Sequence, residues 1–502
     1  MTTEAQTPVP AQGSDRLAHS VLLTTITLAG ARVVALVAGV VALSLASRYL
    51  PVGAFGALTA GMAYASLFAL LTDLGLSTAA TREISRAPAR ERVVLGNVLG
   101  MGTALAVVAV GLGLLAMRIV YPGAGYAATR EAIEILLVQV VVAPITGAAR
   151  AFLIARQRGY LIACGDVALA VGMAAFTGAA VAGGLGYRAV VIAIAAGYVV
   201  QALTMAAIAL ATGARVQYQH RTAIKLMQVA LPLGGVLLLN YLYFRLDVLL
   251  LSWMKSDIDV ARYGLAYRVI EGLMVLPSYV MLALFPSIAR SEDDPARLAA
   301  LIGVAVAGLE AIGLLVAALP AIFSPQLVVF LGGQKYAAAA PCLAILSAAL
   351  GISYVSGVYG NALMALGRQR TLFWLGIGPL GVNLLANLVL IPPLGPSGAA
   401  IAVVVSEVVG LLLVRSYCIR VVGSPPGAPH LRILAAGLGL GVLAAVKFAL
   451  PLHGRPVLTI VLGGTLGAVV YAALLLRLGG LPAPIVDRLP LPTWLLRTPP
   501  RA

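Results

Sequence analysis

Runs of about 20 predominantly apolar residues recur along the whole chain, and no other property restricts its folding so severely. Fourteen can be placed, at about 20–46, 57–79, 94–117, 131–153, 160–182, 189–211, 228–253, 264–287, 299–322, 338–364, 371–391, 398–419, 431–450 and 456–476. Each is long enough to cross a hydrocarbon core of about 30 Å as a helix. None shows the strict alternation of a membrane barrel strand, so the expected fold is an all-α integral membrane protein of about 14 transmembrane helices. Composition agrees: 61% of residues are hydrophobic and 10% charged, with mean hydropathy +1.01, outside the range of soluble globular chains.

The net charge of +16 raises the question of nucleic acid. The sequence carries no zinc-finger, RRM or basic-helix pattern, and its basic residues are strung between apolar runs, so no nucleic-acid partner is expected. Their placement reads instead as topology. Connections containing Arg82, Arg86, Arg90 and Arg92, then Arg150, Arg156 and Arg158, then Arg215, Arg221 and Lys225, are richer in cations than those on the other side, which places both termini in the cytoplasm. Cys164, Cys342 and Cys418 lie far apart without ligand spacing, and the four histidines form no cluster. Neither a metal nor a cofactor is expected. No phosphate-binding G-x-x-x-x-G-K-[ST] loop occurs, and no connection is long enough for a catalytic domain.

A second pattern divides the chain. RYLPVGAFGALTAGMAYASLFALLTDLGLSTAATREISR (48–86) returns around Tyr263, with Phe55-Gly56 against Tyr263-Gly264 and Arg86 against Arg290. Ala155-Arg156-Gln157-Arg158 matches Gly367-Arg368-Gln369-Arg370, and GGLGYRAVVIA (183–193) matches PPLGPSGAAIA (392–402). An offset of about 210 residues carries each helix onto the sixth one after it, in the same orientation, so two parallel six-helix repeats (helices 1–6 and 7–12) around a central cavity are expected, plus two extra helices. The corresponding division is a disordered cytoplasmic tail 1–16, lobes 17–215 and 216–425, helices 13–14 at 426–478, and a Pro-rich cytoplasmic tail 479–502.

The run R-Y-L-P-x-x-x-F-G, followed by a helix ending in D-L-G-L-S-x-A-x-x-R-E, resembles the start of Wzx-type polysaccharide-biosynthesis flippases, members of the multidrug/oligosaccharidyl-lipid/polysaccharide exporter superfamily. The resemblance implies a non-enzymatic carrier in the bacterial inner membrane that moves a polyprenyl-diphosphate-linked oligosaccharide between leaflets by alternating access. It implies as partners the lipid-linked oligosaccharide, membrane lipids, and the polysaccharide polymerase and glycosyltransferases of the same process. Two alternatives stand beside it: a cation-coupled multidrug or metabolite antiporter of the same superfamily, and a polymerase or ligase.

Charges inside the bilayer cost on the order of 2.5–3.5 kcal/mol on insertion scales, so those retained usually face a cavity or a partner. Arg32 falls mid-run in helix 1, and Arg245 and Asp247 in helix 7, where Tyr241 shares a face with Arg245 and Asn240 with Asp247. These five are the candidate cavity residues; a structural pair of Arg32 with a carboxylate such as Asp247 is the alternative. Glu310, Glu407 and Asp73 are candidates for coupling or gating, against hydrogen-bonded structural carboxyls for the first two and helix capping for the third. The polar stripe Ser347, Tyr354 and Asn361, and the pair Asn383 and Asn387, read as helix-helix hydrogen bonding or sugar contacts.

Overall fold

A computed structural model of the chain describes residues 12–274, 276–424 and 456–478, together with 437, 441, 481 and 486. The described residues contain helices and no strand: α1 (Gln12–Tyr49), α2 (Val52–Asp73), α3 (Leu76–Arg86), α4 (Glu91–Val120), α5 (Ala127–Leu136), α6 (Val138–Ala155), α7 (Ile162–Ala182), α8 (Tyr187–Ala211), α9 (His220–Met254), α10 (Asp257–Leu273), α11 (Leu276–Ala289), α12 (Pro295–Ile322), α13 (Ser324–Gly332), α14 (Ala340–Ala365), α15 (Gln369–Leu394), α16 (Pro396–Val422) and α17 (Pro456–Arg477). Twelve helices or broken helix pairs among them are long and apolar enough to cross a membrane.

That number differs from fourteen for two reasons. The expected span 431–450 lies outside the described residues apart from 437 and 441. The expected span 264–287 is interrupted, because α10 stops at Leu273 and α11 begins with Leu276-Pro277, leaving pieces of 17 and 14 residues. Proline lacks the amide hydrogen that would continue the α10 ladder but fits the first turn of a new helix.

The repeat is visible element by element. α1 and α9 are both unusually long, at 38 and 35 residues, and begin at residues 12 and 220. The same neighbours pack in each half: α4 on α6 and α12 on α14, α3 on α6 and α11 on α14, α6 on α8 and α14 on α16, α7 on α8 and α15 on α16. Tyr49 Oη donates to Leu185 O at 2.7 Å, tying the ends of α1 and α7; Lys255 Nζ donates to Pro392 O at 2.7 Å at the matching place on α9 and α15. Gly123 (φ 84°, ψ 172°) and Gly333 (φ 85°, ψ 176°) turn the chain identically before a short 3-10 segment. α13 has no counterpart in the first half.

One detail of the sequence match is corrected. The turn closed by Gln157 N–H to Ile154 O and Arg158 N–H to Leu153 O repeats as Gly367 N–H to Met364 O and Arg368 N–H to Leu363 O. The left-handed residues are Gln157 (φ 56°) and Gly367 (φ 70°), so Gln157, not Ala155, corresponds to Gly367.

By contacts the chain divides into one unit of residues 1–49 and 64–238 and a second of 50–63 and 239–502. α2 and α9 therefore each pass from one unit to the other. In the first unit Leu76, Ala79, Ala80 and Ile84 of α3 pack with Val94, Leu95, Ala148, Phe152 and Met205. In the second, Tyr471 Oη of α17 donates to Ala311 O of α12 at 2.9 Å.

Candidate functional site

The second unit contains a small cavity of about 20 Å³, lined mostly by apolar surface from five helices, α9, α10, α14, α15 and α16. That is room for one water-sized occupant. Asp247 is 2% exposed; its carboxylate accepts from the Tyr263 hydroxyl and, at 2.9 Å, from the Val248 amide. Glu407, 6% exposed, accepts from Tyr243 Oη at 2.8 Å. Ser406 Oγ takes the Asn383 amide at 3.2 Å, and Asn383 O and Oδ1 both accept from Asn387 Nδ2, at 2.9 and 3.0 Å. Tyr267, whose ring stacks on Tyr263 at 5.7 Å, completes the polar wall. Leu346, Leu350 and Met274 supply the apolar side. Two buried carboxylates at so small a cavity suit a proton or a single small cation, since an anion there would meet unscreened like charge. Among the described residues no group of three His, Cys, Asp or Glu forms a metal site.

Beside this cavity, Arg245 Nη2 lies 2.5 Å from Glu271 Oε1, and its guanidinium sits 5.7 Å from the centre of the Tyr267 ring. Glu271 Oε2 also binds Arg268 Nη1 at 2.8 Å. One carboxylate thus serves two guanidiniums.

The first unit contains the same arrangement on different helices. Asp166 of α7 binds Arg150 of α6 through one oxygen, Arg32 of α1 through the other at 3.4 Å, and the Gln201 amide at 3.2 Å. Arg32 is therefore paired, with Asp166 and not with Asp247. α1 and α7 run together from the Tyr49–Leu185 tie, and Arg32 is 17 residues back along α1, roughly 25 Å at helical rise.

Other expected residues separate. Tyr241 Oη donates to Ala63 O at 2.8 Å, and Asn240 is exposed. Asp73 accepts from the amides of Gly75 at 3.2 Å and Ser77 at 3.0 Å and from the Ser77 hydroxyl, so it caps the start of α3. Glu310 is half-buried on α12. Tyr354 Oη donates to Leu273 O at 2.7 Å, while Ser347 and Asn361 bond within their own helix, to Leu343 O at 2.7 Å and Gly357 O at 2.8 Å. Outside the spans, Arg156 is clamped by both oxygens of Glu91, at 2.7 and 2.9 Å; those hydrogen bonds and the carboxylate's charge hold its guanidinium more firmly protonated than usual.

Sequence reading missed Glu271, Arg268, Arg150 and Asp166 as partners. Only Arg268 and Glu271 carried a local signal, an i,i+3 pair of opposite charge.

The protein matches a Probable flippase AglR of Haloferax volcanii with 28% identity over 249 residues, 47% of this chain and 50% of that one. The match therefore spans half the length of the curated relative. Its fold is shared with the lipid II flippase MurJ in an inward closed conformation, at TM-score 0.72 and 13% identity, covering 91% of this chain and 99% of that one. It is shared also with an inward-facing multidrug resistance MATE transporter of the MOP superfamily, at TM-score 0.59 and 19% identity, covering 79% and 95%. The profile described as Polysaccharide biosynthesis protein matches residues 21–292, more than half of the chain, and the chain belongs to that family.

Proposed function

We propose that this multi-pass membrane protein is a flippase that carries a polyprenyl-diphosphate-linked oligosaccharide across the bacterial inner membrane by alternating access. The relative's name and the family support flippase-type transport over catalysis. The observation that carries the substrate class is the pair of guanidiniums, Arg245 and Arg268, gathered on Glu271, with Arg245 inside the apolar helix α9, which would otherwise select against it. A diphosphate head cannot cross hydrocarbon unaided, and guanidiniums bind it by charge-assisted, bidentate hydrogen bonds. Arg32, Asn240, Tyr241 and Asp247 are the further candidates for contact along the path. Polysaccharide polymerase and glycosyltransferases are the proposed partners, and both termini are proposed to be cytoplasmic.

The cavity at Asp247 and Glu407 favours a second component of the reading, coupling to a proton or a small cation. Asp73 and Glu310 have local structural partners and are weaker coupling candidates. An antiporter of small cationic compounds would use the same carboxylates, but it leaves the two guanidiniums gathered on Glu271 without a role.

The test is Arg245→Gln in a strain whose surface glycan depends on this protein. Reduced outer-leaflet glycan with a normal membrane level of protein is expected. Normal export at normal level removes the diphosphate-binding role.

A further inference from the structure

Tyr263 and Gly264 are adjacent on α10 and meet two different neighbours. The Tyr263 hydroxyl donates to the Asp247 carboxylate of α9, at the cavity. Gly264 is the surface on which α2 rests, since a Cβ there would lie 2.5 Å from Thr59 Cγ2. Two turns earlier the backbones themselves meet, because a Cβ on Gly56 would overlap Asp257 O. Residues 50–63, which include the first turns of α2, belong to the second unit together with α10. Their start is fastened separately: Lys335 Nζ donates to Leu50 O at 2.5 Å, and Phe55 meets Tyr336 edge-on at 5.9 Å. Tyr263 is fully buried and its ring stacks on Tyr267. A phenylalanine would pack in the same way. What the hydroxyl adds is a bond to a carboxylate, whose strength depends on whether that carboxylate is charged.

We propose that Tyr263 is a positioning residue that ties the charge on Asp247 to the seating of α2. With Asp247 ionised, the tyrosine bond is charge-assisted, and it holds α10 in the register that presents Asp257 and Gly264 to α2. An occupant that neutralises Asp247 reduces that bond to an ordinary one and leaves α10 freer to turn. Contact through glycines is close and therefore steep in register: a gap of about 1 Å already forfeits up to half of the dispersion attraction. A small turn of α10 is thus enough to unseat α2. The other ionisable groups around Asp247 are Arg245, Glu271, Glu407, Tyr243, Tyr267 and Cys342. Tyr263 adds to them a direct bond and a place beside the α2 contact. That the neutralising occupant is the coupled proton or cation rests on the coupling reading; the tie from Asp247 to α2 rests on the contacts alone.

Thr59→Cys puts a thiol at the contact, and its alkylation by N-ethylmaleimide in the full-length protein reports how often α2 lifts from Gly264. The exposed Cys164 of the same molecule corrects for pH and reagent, and the buried Cys418 registers any general loosening. Peptide mass spectrometry separates the sites. Tyr263→Phe and Asp247→Asn should each raise the rate at position 59 about tenfold with Cys418 unchanged. Both remove the same charge-assisted bond, so the double variant should be no faster than either alone. Two independent losses of packing would multiply instead.

Sodium added at mildly alkaline pH, and acidification with no sodium present, probe the occupant. One of them should raise the rate at position 59 by a similar factor, and Tyr263→Phe should abolish that response. If neither acts while both variants still raise the rate, the tie from Asp247 to α2 stands and the coupling reading falls. Should Asp247→Asn fail to fold, Tyr263→Phe decides, because phenylalanine keeps the buried ring and its stack on Tyr267. An unchanged rate in Tyr263→Phe, a full ion response in that variant, or an equal rise at Cys418 overturns the proposal.

Discussion

Gly75 and Gly234 meet backbone to backbone: a Cβ on Gly234 would lie 2.5 Å from Leu74 O, and one on Gly75 would lie 2.8 Å from Gly234 N. Gly75 also has φ +81°, which side chains rarely adopt, and it follows Leu74 at φ 38° in the break between α2 and α3. Pro232 lies two residues before Gly234 on α9. The break between α2 and α3 is thus pressed against α9 at this point within the first unit.

Gly234→Ala should therefore lower stability by about 1–3 kcal/mol, since neither backbone can yield without moving its helix. Gly235→Ala is the control, because nothing lies within 4 Å of its Cβ position and alanine favours the helix by about 1 kcal/mol. Thermal unfolding in detergent checks both. Equal unfolding temperatures for the two variants would show that the contact is slack.

Glu271→Gln takes away the carboxylate shared by Arg245 and Arg268, leaving two guanidiniums around a neutral amide. All three side chains are about a quarter exposed, so water moderates the repulsion, and a loss of about 1–2 kcal/mol is expected. Arg245→Gln should be milder, because Arg268 still neutralises the carboxylate. Protein level and unfolding temperature, compared across the two variants, check that order.

Tyr243→Phe removes the hydroxyl that donates to Glu407 and should cost about 1 kcal/mol of stability. Glu407→Gln keeps a hydrogen-bonding group of the same shape there, so the fold should survive. If the cavity holds the coupled ion, transport in Glu407→Gln should lose its dependence on an imposed proton or cation gradient. Gradient-driven transport at wild-type rate would locate the coupling elsewhere.

For topology, the exposed Cys164 is first changed to serine, since Cys342 and Cys418 are buried. A new cysteine at Gly159 should then resist an impermeant thiol reagent outside intact cells, and one at Gly184 should react. The reverse pattern would turn the protein over in the membrane.

The apolar runs were legible because a membrane helix satisfies its backbone internally and only length and hydropathy have to be encoded. The repeat was legible where letters survived, as at Gly56 and Gly264, both of which abut the other's helix: a Cβ on Gly56 would overlap Asp257 O, and one on Gly264 would lie 2.5 Å from Thr59 Cγ2. At Arg156 the letters misled. Aligning the shared Arg-Gln-Arg displaced the match by two residues, because the turn is set by the left-handed residue, which is glutamine in one half and glycine in the other. Asp166 and Glu271 were not found because a pairing between helices leaves no spacing in the sequence.

The Gln157 turn has a consequence for how the two halves have aged. Gln157 holds a left-handed conformation that its counterpart Gly367 adopts freely, and the hydrogen bonds around the two are the same. Inheritance here has kept a shape while letting the letter drift. Gln157→Gly would relieve local strain without altering the path of the chain, so this corner is a place where the first half tolerates parts from the second.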